Sequence, residues 1–409
     1  MLTIYCFFIL MLYYKVIVFI INCLIMKYKK ILFIVLVVAI GGFLFWLLAS
    51  KTRLSDNLPI KIGASEALTG KFASLGEPRA KAMRMAVDEI NNNGGINGKK
   101  LEIVIEDNQG EAKIAATNAS KLLNIDNVDI VVTGFTHITN AVKSLVADKN
   151  KVMIYASTVR DIAEGNKLFF RDYWDAIDSA KALARVIGND GYKKIAFLTE
   201  INDQCDQIGQ TIKEDGQKYG FEVIKTETYN AAETDLRTNL IKIKASKPEA
   251  IVACSWRHEN ILMRQINELG ILGIKTYHIV APFIASADTK ENRKLFEKNG
   301  SVSTWYGVVE ASMSDKQKEF VEKYQNKYGT KPTSEAIYVY DDIYILAESL
   351  RKCDKAGKVK DSNCVADSLL KTEIDGIGGK LSFDSNGVST RKVMMIKVVN
   401  GLWTEIPAE

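Results

Sequence analysis

The sequence predicts an α/β protein of two doubly wound halves behind an N-terminal membrane helix. Three observations predict it. Residues 60–107 read as strand, helix and strand, which is one parallel crossover unit. The same alternation then continues to about residue 281 in two rounds. Residues 31–49 carry no charge, a length close to the ~20 residues that cross a bilayer as a helix.

In the opening unit, residues 60–64 form a short apolar run, hence a buried strand, and residues 65–76 are rich in Gly, Ser, Thr and Ala, hence a loop. Ala82, Met83, Ala86, Val87 and Ile90 recur at helical spacing. Asn91-Asn92-Asn93-Gly94-Gly95 ends that helix, because Asn and Gly tolerate left-handed backbone angles. Residues 101–106 make the second strand. Ligands of such sheets sit beyond the carboxyl ends of the strands, so the loop 65–76 is a candidate cleft wall.

The first round continues with helix 111–123, strand 129–134, helix 139–149, strand 151–156 and a short extended piece at 168–171. The second has helix 179–188, strand 193–199, helix 206–219, strand 221–229, helix 235–246, strand 249–254, helix 259–269 and strand 275–281. Beyond it come helix 290–297, strand 302–309, helices 315–328, 334–350 and 363–370, and strands 381–383, 393–399 and 402–405. Asn386-Gly387 and Asn400-Gly401 are hairpin-type turns.

The chain of 409 residues is 47% hydrophobic, enough for two cores of ordinary size. Its net charge of +5 is spread without a basic block, so nucleic acid is not implied as a partner. Lys27, Lys29 and Lys30 precede the charge-free run and Lys51 and Arg53 follow it, which favours a cytoplasmic N-terminus and an exported remainder. The bulky end of the run argues for an uncleaved anchor over a cleaved signal. Lys51 stands where a lipoprotein would need Cys. Residues 1–25, a second apolar stretch broken by Lys15, read as an over-extended gene start before the signal-like Met26-Lys27-Tyr28-Lys29-Lys30. Of the six cysteines, Cys353 and Cys364 flank a short loop and form either a disulfide or two free thiols. Cys205 and Cys254 follow different strands and either approach each other or simply pack. With three His and no CxxC, a metal site is not expected.

The run IKIGASEALTG, then AVDEINNNGGINGKKLEIVIED, resembles the start of the leucine/isoleucine/valine-type periplasmic binding proteins, the extracytoplasmic solute receptors of ABC importers. Weaker likeness extends to about Lys397. The resemblance implies two Rossmann-like lobes joined by a three-strand hinge: residues 58–172 plus 282–383 in the first, 175–281 plus 384–409 in the second, with 26–57 as anchor and tether. Crossings fall near 172–175, 281–284 and 384, and closure around a ligand is the expected motion.

It also implies a ligand site. Thr136 and His137 match the family's serine-rich ligand loop, at a helix N-terminus whose free N–H groups suit a carboxylate. Thr136 also serves as an ordinary helix cap on either reading. Ser157 and Thr158 match the pair that holds the ligand carboxylate. From the second lobe, Trp256 aligns with an aromatic that closes over ligand, or else belongs to the core or hinge. Asp203-Gln204-Cys205-Asp206 lacks the family's usual Tyr. Phe283 occupies the place of the acid that pairs with the ligand ammonium. A buried ammonium without a counter-charge costs several kcal/mol. So either Glu66, Glu200, Asp203 or Glu310 substitutes, or the ligand is an aliphatic or aromatic carboxylate. Leu75 also points to an altered pocket. Arg171 and Tyr340-Asp341-Asp342 read as hinge residues.

No G-x-G-x-x-G follows the first strand, and no P-loop, G-x-S-x-G elbow or His-Glu-x-x-His helix occurs, so neither an enzyme nor a cofactor is expected. The sequence therefore points to a membrane-tethered binding protein that gives a small amino acid or related carboxylate to an ABC permease. The alternatives are the sensing ectodomain of a receptor and, less favoured, a hydrolase on a similar sheet.

Overall fold

The alternation becomes two separate sheets in the computed structural model, which describes residues 11–22, 25, 40–42, 58–159, 162, 165–255, 258–279 and 288–407, with backbone only at Asp203. The expected membrane span 31–49 lies outside the described residues except for 40–42. Among the described residues, no helix is long and apolar enough to cross a membrane. Residues 59–409 form one compact unit.

The first sheet holds β1 (Ile60–Glu66), β2 (Leu101–Asp107), β3 (Ile130–Gly134), β4 (Val152–Ala156) and β5 (Phe169–Arg171). All are parallel, in the order β2-β1-β3-β4-β5. Helices α1 (Ala73–Asn92), α2 (Ala112–Asn124) and α3 (Thr136–Asp148) connect them. Ile60, Ile62 and Ala64 are fully buried on alternate positions of β1. Gly63 between them lies against Leu122 and Val128, where a Cβ would already be crowded.

The chain then enters the second sheet through α4 (Ala176–Asn189), β6 (Lys194–Glu200), α5 (Asp203–Tyr219), β7 (Glu222–Tyr229), α6 (Arg237–Ala245), β8 (Ala250–Cys254), α7 (Glu259–Glu268), β9 (Lys275–His278), α8 (Lys290–Asn299) and β10 (Val302–Trp305). Along β6, Ile195 and Phe197 enter one core while Ala196 and Leu198 enter the other. That is the signature of a strand covered on both faces. Gly188 lets α4 approach α5, for a Cβ there would strike Tyr219.

The chain returns to the first core with α9 (Asp315–Tyr328), α10 (Ser334–Lys355) and α11 (Ser362–Leu369), then the hairpin β11 (Ile374–Gly376) and β12 (Gly379–Leu381). β13 (Met394–Val399) and β14 (Leu402–Ile406) finally extend the second sheet, whose order is β14-β13-β10-β9-β8-β6-β7.

One expected boundary moves. Residues 290–305 were assigned by resemblance to the first lobe, yet β10 pairs in parallel with β9 and antiparallel with β13. β10 therefore belongs to the second sheet, and the passage back to the first core lies between β10 and α9. The residues of a short strand bear no mark of which sheet it joins, and pairing decided it here. Residues 172–175, the stretch between β10 and α9, and residues 384–393 thus mark three passages between the sheets.

The passages are tied together by buried polar groups. Arg171 N–H donates to Gly387 O at 2.7 Å, and Ser389 N–H donates to Arg171 O at 2.8 Å, so the first and third passages lie side by side. Arg391 grips both carboxylate oxygens of fully buried Asp172 and also reaches Asp341 at 3.1 Å, its guanidinium lying over the Tyr338 ring. Tyr306 in the second passage shares a 2.6 Å hydrogen bond with Ser179 of α4.

Candidate functional site

Both sheets present their carboxyl ends to the passages. β5 ends at Arg171 and leads straight into the first passage. α4 begins just after it, at the Asp175 cap, and runs away, so β6 must return toward the junction. Loops at those ends therefore lie at the junction end of each sheet, the edge where open α/β sheets hold their ligands.

On the first lobe, Thr136 and Ser157 come together: their hydroxyls are 2.9 Å apart, joining the ends of adjacent strands β3 and β4. Ser157 is buried and also holds the Val159 N–H, while Thr158 is half-buried beside it. Thr136 opens α3 after Phe135, whose φ of 66° and ψ of 135° lie where a bulky residue rarely sits. Such strain costs on the order of 1–3 kcal/mol and gathers at functional sites. His137 is exposed; its Nε2 lies 3.0 Å from Gly110 O. Its ring joins Phe72 and Phe135, with centroid spacings of 5.1 to 6.2 Å, in an aromatic ledge on the rim. Sequence reasoning missed Phe72 and Phe135; the one available signal was Phe135 lying between a strand end and a helix start.

Glu66 does not stand ready for a ligand ammonium. It is fully buried, and both its oxygens accept from Arg79 at 2.9 to 3.1 Å. Arg79 also donates to Thr133 O, so the pair braces β1 and β3 under the rim. Glu310 is likewise committed, to Arg293 at 2.5 Å. Glu200, at the end of β6, lies 3.6 Å from Nδ1 of His258. The His258 ring packs edge-on against Tyr229 at 5.1 Å. Ser255 Oγ accepts from His258 N–H at 2.9 Å. Trp256 and Phe283 lie outside the described residues, and of Asp203 only its place at the first position of α5 is described. Leu75 packs against the core that contains Trp174, Tyr306 and Tyr338, so it belongs to the junction.

Among the described residues, two disulfides are formed. Cys353 joins Cys364 across the α10–α11 turn, one of the two alternatives open from sequence. Cys205 joins Cys254, a pairing the sequence left open. Near the junction, burial pushes the Glu335 carboxyl up to about 7; it accepts from the Tyr173 hydroxyl at 3.0 Å. Burial and the neighbouring Asp172 charge likewise hold Asp342 well above the carboxylate range.

A two-sheet α/β unit with three passages and hydroxyl-bearing loops at facing strand ends is the architecture of a hinged binding protein. The model of the periplasmic binding protein family matches residues 59–401. The chain belongs to that family, with its type I fold. Among its relatives, the leucine-, isoleucine-, valine-, threonine- and alanine-binding protein of Pseudomonas aeruginosa is 26% identical over 361 residues, covering 85% of this chain and 90% of that one. A Leu/Ile/Val-binding protein homolog from Brucella abortus is 24% identical, covering 82% and 88%. Among solved structures, a branched-chain amino acid transporter substrate-binding protein from Streptococcus pneumoniae in complex with isoleucine gives a TM-score of 0.70 at 24% identity, covering 85% of this chain and 100% of that one. A solute-binding protein of an ABC transporter from Rhodopseudomonas palustris, in complex with 3,4-dihydroxybenzoic acid, gives 0.71 at 22%, covering 86% and 96%.

Proposed function

We propose that the protein is the extracytoplasmic solute-binding component of an ABC importer, and that it captures a small carboxylate, an α-amino acid or a related acid, between its two lobes. The observation that carries the reading is the Thr136–Ser157 hydroxyl pair at the N-terminus of α3, with Thr158 beside it. These groups, together with the free N–H groups of a helix start, suit a carboxylate. The names of the relatives support an amino acid. With Glu66 and Glu310 paired to Arg79 and Arg293, and Glu200 beside His258, Asp203 is the remaining candidate of the four to meet an ammonium. Phe283 together with the Phe72–Phe135 ledge supports an acid without one. The charge-free run 31–49 supports an uncleaved membrane anchor, and an ABC permease is the partner that this reading requires.

A thermal-shift screen tests it. L-Leucine, L-isoleucine, their des-amino analogues and 3,4-dihydroxybenzoate are each added to the protein, since a ligand that binds only the folded form raises the melting temperature. At least one carboxylate is expected to raise it, and its primary amide to have no effect. Thr158→Ala is expected to weaken the binding of that ligand by about 1–3 kcal/mol, because it strands a buried carboxylate oxygen. Equal affinity of Thr158→Ala and wild type in titration calorimetry contradicts the assignment.

A further inference from the structure

We infer that the Cys205–Cys254 disulfide positions the second-lobe wall of the ligand cleft, clamping the first turn of α5 to the end of β8 so that a ligand meets a surface already assembled. The inference rests on the interlobe capture proposed above.

Cys254 is the last residue of β8 and sits beside Thr199 of β6 in the parallel register. Cys205 lies in the first turn of α5, the helix that follows β6, where its N–H is held by the Asn202 side chain at 2.8 Å. The bond therefore joins the segments leaving two adjacent strands at their carboxyl ends, the edge that faces the passages. Other contacts bind the same edge. Ser255, the residue after Cys254, caps the turn into α7 through His258 N–H. The His258 ring meets Tyr229 at the end of β7, and its Nδ1 lies near Glu200 at the end of β6. The ends of β6, β7 and β8 are thus locked to one another before any ligand arrives. Rigidity of this kind raises affinity by removing the ordering that binding would otherwise require. Both cysteines are almost fully buried, at 0% and 3% exposure, so the bond is part of the wall's interior.

The second disulfide supplies a control of the same chemistry. Cys353 lies eighteen residues along α10 from Glu335, which touches the first passage through Tyr173. At 1.5 Å per residue, that is roughly 27 Å away from the junction. It ties α10 to α11 and reaches no strand end of the second lobe.

The test uses full-length protein and, as probe, whichever of L-leucine, L-isoleucine, their des-amino analogues and 3,4-dihydroxybenzoate raises the wild-type melting temperature most. Cys205→Ser/Cys254→Ser and Cys353→Ser/Cys364→Ser are both expected to melt earlier than wild type. Well below either transition, the first double variant is expected to bind the probe at least tenfold more weakly and the second within twofold of wild type. Wild-type affinity in a folded Cys205→Ser/Cys254→Ser protein overturns the inference and leaves the capture reading standing. A wild-type melting curve that none of these probes moves overturns both. Cys205→Val/Cys254→Ala, which refills the buried volume, serves if the serine variant does not fold. Should both fail to fold, hydrogen exchange of the wild type decides. The amides of Cys205, Asp206 and His258 are expected to be equally protected with and without probe, and protection that appears only with probe overturns the inference.

Discussion

Arg391 holds the passages together, and Arg391→Met is the perturbation that measures how much. The guanidinium binds Asp172 through Nε at 3.0 Å to both oxygens and through Nη2 at 2.8 Å, and reaches Asp341 at 3.1 Å. Both carboxylates are buried, at 0% and 1% exposure. Asp341 keeps two partners after the substitution, the N–H groups of Ile377 and Gly378 at 2.7 and 2.9 Å. Asp172 loses its guanidinium contacts, and its neighbour Asp342, already driven toward the neutral form, offers no positive charge. Stranding a buried charge in this way costs about 3–5 kcal/mol. The assay is urea unfolding followed by far-UV circular dichroism at pH 7. Asp172→Asn/Arg391→Met, which removes the stranded charge as well, is expected to recover at least about 1 kcal/mol of the loss. A single variant within about 1 kcal/mol of wild type, or a double variant showing the full sum of two separate losses, refutes the reasoning.

Two further predictions concern charge. Burial raises the Glu335 carboxyl from its ordinary 4.5 to about 7, so between those values the folded state holds a proton that the unfolded chain has released. Its contribution is therefore complete below about pH 4.5 and is lost as pH rises through 7, a difference of about 3 kcal/mol. Glu335→Gln is expected to remove that part of the pH dependence in urea titrations at pH 5 and pH 8, and an unchanged pH dependence counts against it. If the ligand lacks an amine because Phe283 stands in place of an acid, Phe283→Glu is expected to increase L-isoleucine affinity at least tenfold in titration calorimetry. No gain points to an acid already serving from another loop.

Much of this architecture could be read from residue order alone. The opening unit is legible because its apolar residues change from strand to helical spacing and back, and its stops are Asn and Gly. Thr136 and Ser157 are legible as a pair because each follows a buried parallel strand, and adjacent strands bring such ends together. What could not be read is pairing at a distance. β10, Val302-Ser303-Thr304-Trp305, reads as a strand whichever sheet it joins, so its place came from the hydrogen-bond partners offered by β9 and β13. Glu66 looked available because residue order does not choose its partner: Lys71 lies in its own loop, yet Arg79 on the following helix, thirteen residues on, takes it. Cys205 and Cys254 are 49 residues apart, and only the register of β6 against β8 makes them neighbours.

The central claim is that two lobes close on a small acid. Small-angle X-ray scattering of the protein, with and without a saturating amount of the best ligand from the thermal-shift screen, tests it most directly. The account predicts a smaller radius of gyration with ligand, and the free-protein value in Thr158→Ala at the same ligand concentration. Superimposable curves from wild type with and without saturating ligand contradict it.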